Sequence, residues 1–149
     1  MDEALYLENQ LCFPLYACAR RVIGRYTPLL KPLNLTYTQY IVLLVLWKEE
    51  SITIRDLCRK LYLDSGTLTP VLKKMEALGY LARKRNTEDE RVVTVSLTET
   101  GRSLKEQARS IPEKMGSCMM LTEQEIATLY GILYKVLDEL GEEQEKGDF

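Results

Sequence analysis

The sequence of 149 residues contains no histidine. Without an imidazole the chain cannot form a Ser-His or Cys-His pair, so the commonest routes of nucleophilic and general-base catalysis are closed. The four cysteines, Cys12, Cys18, Cys58 and Cys118, lie far apart and form no Cys-x-x-Cys pair that could begin a zinc site. We therefore expect a protein that is not an enzyme and that binds neither a metal nor another cofactor.

The chain also has no long hydrophobic run. Its longest apolar stretch, residues 41–47, is much shorter than the roughly 20 residues that cross a bilayer. The first residues, MDEALYLENQ, are acidic and lack the basic start of a secretion signal. We expect a cytoplasmic protein with no membrane contact. With 46% hydrophobic residues the chain has enough apolar side chains for one core, and we predict a single domain over residues 1–149.

Positive charge is concentrated in the middle of the sequence. The formal net charge is −2, but residues 59–91 contain eight Lys and Arg against five Asp and Glu. Residues 133–149 contain two lysines against six acidic residues. An anionic partner is therefore expected to contact the middle segment rather than the C-terminal one.

Two short helices with the spacing of a helix-turn-helix are predicted in this middle segment. Residues 51–63 carry one apolar stripe with Thr53 as the N-cap, and residues 63–80 carry a second stripe that Gly79 ends. A preceding helix begins with a capping box at Thr36. In a helix-turn-helix, the second helix enters the major groove of DNA.

Two strands are predicted directly after the second helix. Residues 80–86 and 91–98 both have strand character, the second through alternation of Val and Leu with Ser and Thr, and a charged tip joins them. A helix pair followed by a two-stranded ribbon is a winged helix. We therefore predict a mainly α fold with a small β-wing, in which residues 36–98 form the winged helix-turn-helix.

The remaining helices are predicted to form a dimer interface. Residues 99–111 are predicted to be helical, and a loop that contains Cys118 follows. The last helix starts at a capping box and carries one apolar stripe over residues 126–140. A small winged helix offers limited surface to cover that stripe. Residues 7–35 and 99–145 are therefore predicted to pair with those of a second subunit in a two-fold homodimer.

The segment DERVVTVSLT, residues 89–98, resembles the wing signature of the MarR family of winged-helix transcription regulators. LYLDSGTLTPVLKKMEALGYL resembles that family's recognition helix, and QLCFPLYACARRVIGRYTPLL with NLTYTQYIVLLVLW resembles its OhrR-like branch of organic hydroperoxide sensors. The resemblance covers about residues 7–140. It implies a homodimer that binds a pseudo-palindromic double-stranded DNA operator. It also implies an N-terminal sensor cysteine hydrogen-bonded by two tyrosines of the neighbouring subunit, here Cys12 with Tyr26 and Tyr37.

The residues around Cys12 give the same role a physical reason. Proline is tolerated in the first turn of a helix but costs roughly 3 kcal/mol in its interior, so Pro14 places the helix start near Phe13. Cys12 then lies at the helix N-terminus, where the helix dipole favours a thiolate. A thiolate attacks a peroxide to give a sulfenic acid, which condenses with another thiol. The alternative is that Cys12 is a small buried hydrophobic residue, as most free cysteines are.

The other three cysteines receive different predictions. Cys18 and Cys58 fall on apolar helical stripes and are expected in the core. Cys118 follows Gly116 and Ser117 in the predicted loop, where it could resolve oxidised Cys12. A low-molecular-weight thiol is the alternative resolving partner.

Seven residues are candidate DNA contacts. Small hydroxyl residues at a helix start let the backbone approach a duplex, and basic residues of the helix and wing reach phosphates or the minor groove. Asp89 is expected to order the wing and to orient Arg91, and Asp64 to cap the helix. The alternative is that the basic side chains Lys73, Lys74, Lys84 and Arg85 form a solvated surface. The hydroxyl residues Ser65, Thr67 and Thr69 would then be helix caps. The seven are Ser65, Thr67, Thr69, Lys73, Lys84, Arg85 and Arg91.

The predicted function is that of a DNA-binding transcriptional repressor that senses organic hydroperoxides through oxidation of Cys12 and then releases its operator. Two other functions stay open. A small aromatic or phenolic ligand in a pocket of Tyr26, Tyr37 and Tyr40 could release the DNA instead, as in other members of the family that the sequence resembles. A thiol peroxidase with Cys12 as its nucleophile is the second alternative, although nothing else in the sequence indicates a turnover cycle.

Overall fold

The computed structural model describes residues 3–146 of the chain, with side-chain surroundings for residues 3–141. Within this range the chain is mainly helical, with a small sheet that contains the β-wing, so the predicted winged helix-turn-helix fold is confirmed. The helices are α1 Cys12–Leu30, α2 Tyr37–Glu49, α3 Ile54–Leu61, α4 Ser65–Ala77, α5 Glu99–Ala108, α6 Ile111–Met119 and α7 Glu123–Lys146. The strands are β1 Ser51–Thr53, β2 Leu81–Arg85 and β3 Val93–Leu97, and 3-10 turns cover Glu3–Leu5, Leu7–Asn9 and Lys31–Leu33.

The chain divides into two compact units, one up to Pro112 and the other from Glu113 onward. The first unit contains α1 to α5 and the sheet, and therefore the whole winged helix-turn-helix. The single domain predicted over residues 1–149, and the boundaries predicted inside it, stay predictions. No single helix of the described range has both the length and the apolar composition to cross a membrane; α1 with the following 3-10 turn and α2 meet those criteria only as a pair bent by 71°.

A core of aliphatic side chains joins α2, α3, α4 and the sheet. Helix α2 begins where the Thr36 hydroxyl accepts from the Gln39 N–H at 3.3 Å and the Gln39 side chain accepts from the Thr36 N–H at 2.9 Å. The predicted capping box is thus confirmed. Each fully buried aliphatic side chain stabilises the fold by about 1.5–3 kcal/mol relative to an exposed one. The fully buried set includes Val42, Leu43, Leu46, Leu57, Leu68, Leu72, Met75 and Val95.

Two side-chain caps and one left-handed residue define the turn between α3 and α4. The Thr53 hydroxyl accepts from the Asp56 N–H at 3.1 Å at the start of α3. The Asp64 carboxylate accepts from the Thr67 N–H at 2.7 Å at the start of α4. Between them, Tyr62 has a φ of 53°, which ends α3 and turns the chain toward α4. Both predicted caps are confirmed.

The wing strands belong to a three-stranded antiparallel sheet in the order β1-β3-β2. Strands β2 and β3 pair from Leu81 opposite Leu97 to Arg85 opposite Val93, which confirms the predicted hairpin. Strand β1 adds to the other edge of β3. Sequence patterning does not predict β1, because three residues are too few to show an alternation of apolar and polar side chains.

Two cysteine predictions are wrong. Cys18 is exposed, because this chain does not cover the side of α1 that also carries Leu15, itself 43% exposed. Cys118 lies in α6 rather than in a loop. Pro112 falls in the first turn of that helix, where a proline is tolerated, so it starts a helix instead of ending one. Cys58 is half-buried, at the border of the core in which it was expected.

In the second unit, α7 carries an exposed apolar stripe. The helix begins at the predicted capping box, in which the Thr122 hydroxyl accepts from the Glu125 N–H at 3.3 Å and the Glu125 carboxylate accepts from the Thr122 N–H at 2.8 Å. Contiguous exposed apolar surface of this kind marks a protein interface. The stripe consists of Ile126, Leu129, Tyr130, Leu133, Val136 and Leu140.

Candidate functional site

The N-terminal turns of α4 present small hydroxyl side chains. Besides its main-chain contact, the Asp64 carboxylate accepts from the Thr67 hydroxyl at 2.8 Å. The Thr69 hydroxyl donates to the Ser65 carbonyl at 2.6 Å. Since each hydroxyl has one hydrogen, Thr67 and Thr69 keep only acceptor lone pairs for a ligand. Ser65 and Gly66 are exposed beside them.

A glycine and a proline occur in the first turns of α4. A Cβ at position 66 would lie 3.1 Å from an Asp64 carboxylate oxygen, so glycine leaves the cap undisturbed. Hydrogen bonds from Thr67 hold the pKa of Asp64 below its usual value, and the cap is an anion at neutral pH. Pro70 lies inside α4, and its missing N–H leaves the Gly66 carbonyl without the donor that a regular helix supplies. The helix start therefore offers hydrogen-bond acceptors to a donor group.

The tip of the wing is held by a pair of residues two positions apart. The Asp89 carboxylate accepts from Arg91 Nε at 3.0 Å, from Arg91 Nη2 at 3.2 Å and from the Arg91 main-chain N–H at 3.1 Å. These bonds from Arg91 hold the pKa of Asp89 below its usual value. The Arg91 side chain is nevertheless 90% exposed. The wing thus presents a guanidinium whose direction a neighbouring carboxylate fixes.

Further basic residues lie on α4 and on the wing. Lys73 is exposed on α4, and Lys84 and Arg85 are exposed on β2. Arg85 Nη1 donates to the Glu90 carbonyl at 3.0 Å, which connects the two sides of the hairpin. An open depression of about 300 Å³ lies on this face of the wing, and two basic side chains are among its lining residues. Its lining residues are Lys84, Arg85, Asn86, Thr87, Thr94 and Ser96.

Cys12 is the first residue of α1 and is exposed. The predicted helix start near Phe13 is therefore confirmed. The Phe13 N–H donates to the Gln10 carbonyl at 3.2 Å, and Pro14 has no N–H. Neither Phe13 nor Pro14 therefore offers a main-chain N–H to the sulfur. Stabilising a Cys12 thiolate by hydrogen bonds requires donors from other elements.

Three tyrosines cluster at the end of α1 and the start of α2. The ring of Tyr26 lies 4.8 Å from that of Tyr37 and 5.7 Å from that of Tyr40, measured between centroids. Burial raises the pKa of Tyr26 and of Tyr37, and repulsion from the negative charge that Tyr37 gains on ionisation raises the pKa of Tyr26 further. All three phenols therefore keep their proton at neutral pH and can donate a hydrogen bond.

The structure does not bring Cys12 and this cluster together within one chain. Cys12 and Tyr26 lie at opposite ends of α1, and at 1.5 Å rise per residue they are about 21 Å apart along the helix axis. A hydrogen bond between the Cys12 sulfur and Tyr26 of the same chain is impossible at that distance. Contact between them would require a second subunit.

Tyr16 lies on α1 one turn after Cys12. It follows Cys12 by four residues, so the two lie on one face of α1. The guanidinium of Arg20, four residues further, lies 5.5 Å from the Tyr16 ring centroid.

The remaining thiols differ in their surroundings. Burial, followed by the charge of Asp64, raises the pKa of Cys58, which stays a thiol at neutral pH. Cys118 is exposed on α6, and its Sγ donates to the Lys114 carbonyl at 3.2 Å. Cys118, like Cys18, is exposed and is more accessible to a partner thiol than the half-buried Cys58.

The sequence of this chain is similar to those of known transcriptional regulators. A family model described as transcriptional regulator SarA/Rot matches residues 25–108, which include the helix-turn-helix and the wing. The organic hydroperoxide resistance transcriptional regulator of Bacillus subtilis is 49% identical over 134 residues, which cover 90% of this chain and 91% of that protein.

Solved structures of AbfR from Staphylococcus epidermidis have a similar fold. Reduced AbfR bound to DNA is 37% identical with a TM-score of 0.75, and the match covers 93% of this chain and 96% of that one. Disulfide-formed AbfR is 36% identical with a TM-score of 0.66, over 93% of this chain and 94% of that one.

Proposed function

Because this chain belongs to the MarR family of winged-helix transcription regulators, in its OhrR-like branch, we propose that it is a repressor that organic hydroperoxides release from DNA. The reduced homodimer binds a pseudo-palindromic double-stranded operator, and oxidation of Cys12 ends that binding. The main support is the position of Cys12, an exposed thiol that opens α1 in a chain 49% identical to a hydroperoxide resistance regulator.

The switch is a two-electron oxidation of sulfur. The Cys12 thiolate attacks the terminal oxygen of the hydroperoxide, the O–O bond breaks, and the alkoxide leaves and takes a proton from water. The sulfur becomes a sulfenic acid. A second thiol, from Cys118 or from a low-molecular-weight thiol, then condenses with it, so that a disulfide forms and water leaves. Cys58 is disfavoured as this second thiol because it is half-buried and burial raises its pKa.

Two features support the homodimer. Because Cys12 and Tyr26 lie about 21 Å apart along α1, Tyr26 can donate to the sulfur only from another subunit. The exposed apolar stripe of α7 needs a partner surface, and a second copy supplies one. In this arrangement Tyr26 and Tyr37 donate to the Cys12 thiolate. Oxidation replaces that acceptor and alters the interface.

DNA contact is assigned to α4 and the wing. The dimer holds its two α4 helices in successive major grooves, about 34 Å apart, so a small shift at the interface removes the fit to both half-sites. Asp89 orders the wing tip by holding Arg91. The helix start meets base edges, and the basic residues meet phosphates or the minor groove. The assigned contacts are Ser65, Thr67, Thr69, Lys73, Lys84, Arg85 and Arg91.

This function is that of a regulator rather than an enzyme. One oxidation per sensor is enough to change DNA affinity, so the mechanism needs no cycle of turnover. Sustained consumption of peroxide with added thiol reductant, without affinity for duplex DNA, would instead indicate a thiol peroxidase. A repressor acts on chromosomal DNA, and we therefore assign the protein to the cytoplasm.

A gel-shift titration tests the proposal. Reduced protein is titrated on DNA from upstream of its own gene, then treated with cumene hydroperoxide and finally with dithiothreitol. We expect a shifted band that disappears on oxidation and returns on reduction. A shifted band that peroxide leaves unchanged, but that an aromatic ligand abolishes, would reject the redox mechanism in favour of a ligand-responsive repressor.

A further inference from the structure

Glu76 and Arg83 connect α4 to the wing. Glu76 lies in the last turn of α4, and Arg83 is the central residue of β2. One oxygen of the Glu76 carboxylate accepts from the Arg83 main-chain N–H at 2.9 Å. The other accepts from Arg83 Nε at 3.0 Å and from Nη2 at 2.8 Å. A single carboxylate therefore holds both the backbone and the side chain of the strand residue, an arrangement that we call the Glu76–Arg83 clamp.

The clamp lies between the two candidate DNA-binding elements. On one side, α4 begins with the hydroxyl residues that follow Asp64. On the other, β2 continues from Arg83 to Arg85 and then to the tip with Arg91. The connecting turn is fixed by Gly79, with a φ of 79°, but β2 extends four residues beyond Leu81 toward the tip. The clamp adds a second point of attachment halfway along that strand.

The clamp is not part of the hydrophobic core. The Glu76 side chain is 36% exposed and the Arg83 side chain 24% exposed. Arg83 is nevertheless the least exposed cation among the ion pairs of the described chain, so solvent competes with it less than with the others. Hydrogen bonds from Arg83 hold the pKa of Glu76 below its usual value, and the carboxylate is charged at neutral pH.

We infer that the Glu76–Arg83 clamp is a positioning pair for DNA binding. It fixes the direction of the wing relative to α4, so that Arg91 reaches the duplex when α4 lies in the major groove. The inference rests on the proposed DNA-binding function. The inference adds Glu76 and Arg83 to the residues that DNA binding requires. Their charges compensate each other, and they act through Arg91 rather than by contact with DNA.

Substitution of Glu76 by Gln distinguishes a positioning role from a purely electrostatic one, because the two roles predict opposite changes in operator affinity. Removing a negative charge beside a DNA-binding surface strengthens attraction to phosphates. A glutamine amide, however, offers one acceptor oxygen where the clamp needs two, and its NH2 group cannot accept from the guanidinium. If the clamp directs the wing, Glu76→Gln weakens operator binding despite the more favourable charge.

The control for this experiment is Glu106→Gln. Glu106 pairs with Arg109 at 3.2 Å on α5, both side chains are more than 70% exposed, and the substitution changes the net charge by the same amount. Operator affinity of the reduced, full-length dimer is measured by fluorescence anisotropy. We expect Glu76→Gln to weaken binding about tenfold, the effect of losing charged hydrogen bonds. Glu106→Gln should bind as tightly as the unsubstituted protein or slightly more tightly.

A double-mutant cycle with Arg91→Ala tests whether the effect passes through the wing. In the unsubstituted protein, Arg91→Ala is expected to weaken binding about tenfold. In the Glu76→Gln background the same change should cost less than about threefold, because the wing contact is already impaired. Full additivity of the two substitutions would overturn the inference.

Arg83→Lys provides a second variant if Glu76→Gln does not fold, as judged by circular dichroism. This substitution keeps the positive charge but loses the bidentate contact of the guanidinium with Glu76, so it should also weaken operator binding. DNA binding by the unsubstituted protein distinguishes a failure of the proposed function from a failure of the clamp inference. If it fails to bind DNA, the proposed function is wrong. If it binds and the clamp variants bind equally well or better, only the clamp inference is wrong.

Discussion

The indole N–H of Trp47 donates to the main-chain carbonyl of Gly101 at 2.9 Å, a buried bond that connects α2 to α5. The Lys105 ammonium adds to this connection by donating to the Trp47 carbonyl at 3.2 Å. A Cβ on Gly101 would overlap the carbonyl of Tyr80, the residue before β2. Gly101 is therefore the point at which α5 approaches both α2 and the strand that leads to the wing.

Replacing Gly101 by alanine should destabilise the protein. The added methyl group meets backbone rather than a flexible side chain, and such overpacking costs about 1–3 kcal/mol. Urea denaturation followed by circular dichroism measures the change in the free energy of unfolding. The control is Gly116→Ala in α6, where no atom lies within 4 Å of the new Cβ. That change should be neutral or stabilising by up to about 1 kcal/mol. Equal stability of the two variants would contradict the predicted clash.

The Asp64 cap should make stability depend on pH. Bonds from Thr67 lower the pKa of Asp64 in the folded state below the unfolded value of about 3.9. A carboxyl group of this kind contributes stability above the unfolded pKa and loses it as the pH falls through the folded pKa. Thermal melting should therefore show that Asp64→Asn lowers the Tm at neutral pH and that the difference from the unsubstituted protein shrinks in acid. A difference independent of pH would argue against an ionised cap.

Operator affinity should fall steeply with salt. Each phosphate contact releases counterions, so Lys84→Ala and Arg91→Ala should each reduce the slope of log affinity against log salt concentration by about 1. Anisotropy titrations at several salt concentrations give this slope. Lys31→Ala, at an exposed lysine after α1, is the matched control and should leave the slope unchanged. An unchanged slope for Lys84→Ala and Arg91→Ala would remove both residues from the DNA interface.

The tyrosine cluster should control the reactivity of Cys12. If Tyr26 and Tyr37 donate to the thiolate across the dimer, replacing either by phenylalanine should slow its oxidation by cumene hydroperoxide about tenfold, as expected for the loss of one bond to a charged group. Mass spectrometry of alkylated samples at timed intervals gives the rate. Tyr62→Phe, in the turn between α3 and α4, provides the control. Oxidation of Tyr26→Phe and Tyr37→Phe as fast as that control would exclude the tyrosines from the sensor.

Local features of the fold are predictable from the sequence because their causes are local. The Thr53 and Asp64 caps depend on a hydroxyl or carboxylate three residues before an N–H, and the hairpin depends on alternation. Whether Cys18 is buried or exposed cannot be predicted in this way. An apolar stripe on α1 has the same pattern whether its own chain or a second subunit covers it.

In the candidate site, too, the features with local causes are predictable from the sequence and the others are not. Cys12 and its place at the start of α1 follow from Pro14, a neighbour in sequence. The sequence does not predict that the Phe13 N–H is taken by the Gln10 carbonyl and is therefore not available to the sulfur. The Glu76–Arg83 clamp joins residues seven apart across a turn and a strand, which no helical or strand periodicity indicates.

The most direct test compares operator release by Cys12→Ser and Cys18→Ser, which change two thiols on the same helix, both exposed in the single chain. Reduced dimers of each variant are bound to labelled operator, and anisotropy is followed after addition of cumene hydroperoxide. We predict that Cys18→Ser releases the DNA and that dithiothreitol restores its binding, whereas Cys12→Ser stays bound. Peroxide-driven release of Cys12→Ser at the rate of the unsubstituted protein would contradict the assignment of Cys12 as the sensor.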